Sequence, residues 1–227
     1  MEHLGGEALF VDRADAGRRL AASLQHLRGE PVVVLGLPGG GVPVAFEVAK
    51  ALGAPLDVIV VRKLGVPFQP ELGMGALGED GVRLVDCDVV RQAGVSERDL
   101  DVVEARERAE LERRARRFRA GRPHLALAGC TAVVVDDGIA TGSTARAACR
   151  VARAHGASRV VLAVPVAPPG WTARNHHDAD ELVCLYTPEP FYAIGRFYTD
   201  FSQTTDDEVA ACLEKASGAL AARTAAT

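Results

Sequence analysis

Residues 131–144 read Thr131-Ala132-Val133-Val134-Val135-Asp136-Asp137-Gly138-Ile139-Ala140-Thr141-Gly142-Ser143-Thr144: an apolar β-branched run, two adjacent carboxylates, then hydroxyls set about a glycine. If the run is a buried parallel strand, both acids emerge at its C-terminal edge, where α/β proteins bind their ligands. Two neighbouring carboxylates repel unless something neutralises or hydrogen-bonds them. Ribose hydroxyls and a divalent cation both do so. The turn 141–144 adds hydroxyl donors, a close backbone approach at Gly142 and the free N–H groups of a helix start, which suit a phosphate monoester. The two halves together ask for a phosphorylated sugar.

No P-loop G-x-x-x-x-G-K-[ST] occurs in the chain. The fourteen residues 131–144 resemble instead the PRPP-binding (phosphoribosyl pyrophosphate) signature of the type I phosphoribosyltransferases. Residues 72–79, 188–192 and 201–204 look like an uncharacterised subgroup of that family. The resemblance implies an Mg2+-dependent enzyme that moves the ribose 5-phosphate group of PRPP to a nitrogen of a base or related acceptor and releases pyrophosphate. It implies that Asp136 and Asp137 hold the ribose hydroxyls and orient the metal indirectly, through ribose or water. Gly138, Ile139, Ala140, Thr141, Gly142, Ser143 and Thr144 would anchor the 5-phosphate. Gly39 and Gly40, in the turn after the first sheet strand, would meet pyrophosphate through backbone amides. Arg62 and Lys63, at the root of a mobile loop, would meet it with charge. Many relatives carry an arginine before the Gly-Gly pair, where this chain has Gly39. A non-catalytic PRPP or nucleotide sensor is the alternative, and Gly39 is its main support.

These residues need a scaffold, and the apolar pattern supplies one. Leu20, Leu24 and Leu27 stand at i, i+4 and i+7, which predicts a helix over 14–28. Residues 32–35 and 56–61 read as buried strands around a helix at 42–52, a β-α-β unit. The segment 62–79 holds two prolines and four glycines and predicts a long loop with a short hairpin arm. A long helix follows over 96–119, with Ser96 as N-cap, acids first and arginines last, stopped by Gly121 and Pro123. Its seven acids against eight arginines argue for a solvated or subunit-facing helix rather than a nucleic-acid grip. Strands at 131–135, 159–164 and 182–186, a helix at 143–155 and a closing helix at 206–216 complete an α/β fold with a mostly parallel central sheet flanked by helices. The last eleven residues should fray. The expected organisation is a single phosphoribosyltransferase-like domain over 1–227, with a core at about 14–166, a long helix insertion at about 96–121 and a small C-terminal hood at about 167–216. The aromatics of 191–201 would form the hood's own core.

Composition narrows the partners. With 26 Lys+Arg against 30 Asp+Glu the formal charge is −4, so no overall positive field is available for nucleic acid. Five widely spaced cysteines suggest neither a disulfide framework nor a metal knuckle, and a reducing cytoplasm fits them best. The acidic start and the shortness of the apolar runs argue against secretion and membrane insertion. The expected partners are PRPP and a base-like acceptor, in a homo-oligomer. His176-His177-Asp178-Ala179-Asp180 has metal-ligand residue types, but adjacent positions converge poorly on one ion, and a surface loop is the better reading.

Overall fold

A computed structural model describes residues 8–119 and 123–224. In chain order its elements are α1 Arg13–Ser23, β1 Val32–Gly36, α2 Gly41–Leu52, β2 Leu56–Val58, β3 Val61–Val66, β4 Gln69–Gly78, β5 Arg83–Val85, α3 Cys87–Gln92, α4 Glu97–Arg119, β6 Thr131–Val135, α5 Ser143–Ala154, β7 Arg159–Val166, α6 Trp171–Asn175, β8 Glu181–Tyr186 and α7 Asp206–Thr224. Five strands make a parallel sheet in the order β2-β1-β6-β7-β8. This is the mostly parallel α/β architecture that the sequence predicts. β1 and β6 are buried along their whole length, and each such valine contributes about 1.5–3 kcal/mol by leaving water. One apolar layer lies between the sheet and α1 and α2, the other under α5. Val32 pairs with Thr131 and Gly36 with Val135, so the turns after β1 and β6 leave the sheet side by side.

Two expectations are corrected. The second strand stops at Val58, the last partner of β1, and Val61 opens a separate sheet. The supposed long loop is an antiparallel hairpin, β3 on β4, extended by β5; only Pro67 and Phe68 turn. Gly65 and Gly75 mark close packing, not freedom: a Cβ on Gly75 would stand 2.3 Å from the carbonyl oxygen of Leu84 on the paired strand, and one on Gly65 2.5 Å from that of Pro70. We expect Gly75→Ala to cost about 2 kcal/mol, measured by urea unfolding, with no change if β5 were loosely held.

α4 lies along this hairpin and buries Leu100, Val103, Glu107, Leu111 and Phe118 against it and the core. The Ser96 hydroxyl accepts from the Asp99 N–H at 3.2 Å, as an N-cap does. The stop expected at Gly121 lies outside the described residues. The closing helix runs on to Thr224, through an alanine-rich, helix-favouring stretch that the sequence reading leaves frayed. α7 packs on α2, α4 and β2. The aromatics Phe191, Phe197, Tyr198 and Phe201 do cluster, but around Phe10 and Ala16 from the other end of the chain.

Candidate active site

The site grows from the end of β6. Asp136 is the first residue past the strand, and its Oδ1 accepts the N–H of Asp137 at 2.9 Å. Its carboxyl opens on a cavity of about 630 Å3 shared with Leu37, Pro38, Arg62, Lys63 and Thr144. Asp137 turns the other way. Its Oδ2 accepts from Arg13 Nε at 2.8 Å, in an ion pair whose two side chains are each 12% exposed. Arg13 in turn donates to the Ser202 carbonyl at 2.7 Å and lies 4.0 Å over the ring of Phe201. Tyr198 Oη donates to the backbone carbonyl of Asp137 at 2.6 Å. The acidic pair is thus divided between the cavity and the hood.

Burial, and then the charge of Asp137 beside it, pushes the Asp136 carboxyl well above the usual carboxylate range. Burial raises Asp137 too, against the opposing pull of Arg13. The site therefore holds two carboxyls that favour a ligand able to donate hydrogen bonds or bring positive charge.

The turn after Asp137 is built for approach from outside. Ile139 is buried, its N–H held by the Val166 carbonyl at 2.9 Å, while Ala140, Thr141 and Thr144 are exposed. α5 has no side-chain cap on its first turn. The Thr141 and Ser143 hydroxyls lie 3.3 Å apart. The turn after β1 is clamped alongside, with the Leu37 N–H donating to the Val135 carbonyl at 2.9 Å. Gly40 sits directly on Asp137: a Cβ there would fall 1.8 Å from Asp137 Oδ2.

Arg62 and Lys63 lie on β3, paired with Leu77 and Ala76, and so are held by a strand rather than by a mobile loop. Both reach the cavity. Arg62 is engaged by Glu107 of α4 at 2.5 Å, whereas Lys63, among the described residues, meets only the exposed Glu71, at 3.5 Å. Arg13 and Glu107 are the residues that sequence reasoning missed. Glu107 had a signal, since it falls on the apolar stripe Leu100, Val103, Leu111. Arg13 had none, because its partner is 124 positions away.

Among the described residues no group of three or more His, Cys, Asp or Glu side chains could hold a metal ion. Asp178 pairs with Arg146 at 2.7 Å and Asp180 with Arg153 at 2.6 Å, which leaves the 176–180 stretch an ion-paired surface segment. No helix among the described residues is long and apolar enough to cross a membrane.

Comparison with known proteins gives the family. The phosphoribosyl transferase domain family matches residues 11–201. Two Mycobacterium tuberculosis proteins, "Putative phosphoribosyl transferase Rv0571c" of strain H37Rv and "Putative phosphoribosyl transferase MT0597" of strain CDC 1551, are 62% identical over 208 residues. The match covers 92% of this chain and 47% of each of theirs, so the chain spans about half the length of these curated relatives. The crystal structure of TT1426 from Thermus thermophilus superposes with a TM-score of 0.85 at 45% identity, covering 91% of this chain and 98% of that one.

Proposed function

Since the chain belongs to the phosphoribosyl transferase family, with the type I fold, we propose that it transfers the ribose 5-phosphate group of PRPP to a nitrogen of a base-like acceptor and releases pyrophosphate. One observation carries the reading: a carboxyl at the end of β6, the start of α5 and two cations of β3 converge on one cavity. In this reading residues 138–144 take the 5-phosphate with backbone N–H groups and hydroxyls. Asp136 accepts from the ribose hydroxyls, and Asp137, anchored by Arg13, steadies the pair. As the bond from C1 to pyrophosphate lengthens, positive charge develops on the ribose, and the nearby carboxylate stabilises it. Lys63 and Arg62 meet the charge building on the leaving group; Gly39 and Gly40, expected beside them, are not among the residues that line this cavity.

Magnesium fits this donor set. Mg2+ is usually held by one or two carboxylates together with substrate phosphates rather than by an all-protein cage, and Asp136, which has no ion-pair partner among the described residues, lines the cavity where those phosphates would lie. Asp136, with Asp137 through ribose or water, would hold it; when bound it offsets charge on the pyrophosphate. The reading extends to a cytoplasmic homo-oligomer with reduced thiols and no nucleic-acid partner; all five cysteines are free in the structure.

The test is pyrophosphate release with PRPP, Mg2+ and a panel of nucleobases, after a thermal-shift screen has picked acceptors that raise the melting temperature only when PRPP is present. Saturable PRPP binding with no product from any acceptor would favour the sensor reading, which the uncharged Gly39 supports. Two substitutions separate roles: Lys63→Ala should lower kcat about tenfold or more with little change in PRPP affinity, whereas Thr141→Ala should chiefly raise KM for PRPP. Equal, negligible effects of both would show the site to be elsewhere.

A further inference from the structure

The cavity on which Asp136 and Thr144 open is walled on another side by α4, an element to which the reading above gives no role. Its contribution is cationic on balance: Arg98, Arg106 and Arg114 face the same space as Arg62 and Lys63, against Asp99 and Glu107 of the same helix. Their counter-ions are unevenly shared. Arg114 is held by Glu110 at 2.7 Å. Glu107, its side chain 9% exposed, serves two guanidiniums at once, Arg62 at 2.5 Å and Arg106 at 3.0 Å. None of the ion pairs among the described residues engages Arg98. The turn after β1 brings only Leu37 and Pro38 to the wall, so the cations lining this cavity come from β3 and α4.

We propose that α4 completes the pyrophosphate end of the site, with Arg98 and Arg106 binding the diphosphate and Glu107 acting as the internal counter-ion that it displaces from Arg62. The inference rests on the phosphoribosyl-transfer reading and adds to it the residues that hold the leaving group and a built-in competitor for one of them. A diphosphate brings more charge and more acceptor oxygens than one carboxylate, and guanidinium forks match both. Arg106 has donors enough to keep Glu107 while it meets the ligand, so the displaced carboxylate is not left buried alone. Until a diphosphate binds, Glu107 relieves the repulsion between Arg62 and Arg106 and ties α4 to β3.

Calorimetric titration of the full chain with inorganic pyrophosphate plus Mg2+, and separately with ribose 5-phosphate, tests this. Arg98→Gln and Arg106→Gln remove exposed side chains and should leave the fold intact; each should weaken pyrophosphate about tenfold, the loss of one charge-assisted contact, with ribose 5-phosphate unchanged. Glu107→Gln keeps the shape but frees Arg62, and should tighten pyrophosphate about threefold or more; if it fails to fold, the two arginine variants decide. Pyrophosphate affinities of Arg98→Gln and Arg106→Gln within about twofold of the parent, with ribose 5-phosphate still bound, would overturn the role of α4 and leave the transfer reading standing. Weaker pyrophosphate binding in a folded Glu107→Gln variant would overturn the counter-ion role. A parent protein that bound neither ligand would sink the transfer reading itself and this inference with it.

Discussion

Arg13→Ala is expected to destabilise the protein by about 3 kcal/mol and to weaken PRPP binding by about an order of magnitude. The reason is what it leaves behind. Asp137 is one of four polar or charged residues found buried among those described, and Arg13 is its ion-pair partner. Removing one member of a buried pair exposes the other to its full desolvation cost, which typically exceeds what the intact pair contributes. The same substitution removes the hold on the Ser202 carbonyl and the stacking on Phe201, so the hood loosens over the acids. Urea unfolding and PRPP titration check the two effects. Asp137→Asn in the Arg13→Ala background should restore most of the stability, since it removes the orphaned charge. A loss below about 1 kcal/mol would mean that water reaches the pair as at a surface bridge.

Arg119→Ala should cost about 4 kcal/mol and lower the melting temperature by about 10 °C, since a chain of this size loses roughly 2–4 °C per kcal/mol. Arg119 is the last residue of α4 and only 10% exposed at its side chain. It donates to Asp57 and to Glu79, both at 2.8 Å, and to the Val58 carbonyl at 2.8 Å, tying the long helix to β2 and to the end of β4. Glu79 reports the same linkage. Burial alone would raise its pKa, but hydrogen bonds from His124 and Arg119 hold it below the usual value. A carboxyl depressed in this way adds stability that is present above its unfolded pKa and is lost as pH falls through the lower folded one. Arg119→Ala should therefore flatten the fall of stability on the acid side of about pH 4.5. A melting temperature within about 3 °C of the parent would show that α4 is held by its apolar face alone.

How much of this was legible in the sequence depended on distance and on how a residue type is read. β1, β6 and β7 announce themselves as unbroken apolar runs because parallel strands are buried on both faces, and the sugar-phosphate turn is legible because strand end, acids and helix start are contiguous. The hairpin was hidden: Gly65 and Gly75 look like flexibility in one dimension and serve as close strand contacts in three, while Gly78 makes room for Val151 of α5. Arg119 closes a run of helix-terminal arginines that the helix dipole already explains, so nothing in the sequence marked it as the one that turns inward. The split of the acidic pair was beyond reach, since which way Asp137 points is decided by Arg13 and Tyr198, 124 and 61 positions away.

The hood's attachment to the opposite end of the chain bears on where this unit can be cut or joined. Phe10 exchanges backbone hydrogen bonds with Phe197 and Thr199 at 2.9 and 2.8 Å, and Val11 receives one from Asp200 at 2.8 Å. The strip preceding α1 is thus a seam stitched to the aromatic cover, three residues from the guanidinium that grips Asp137. Excising the unit at the edge of its first helix would unpick that seam, so the sugar-binding turn, although encoded locally, depends on sequence contributed from both flanks.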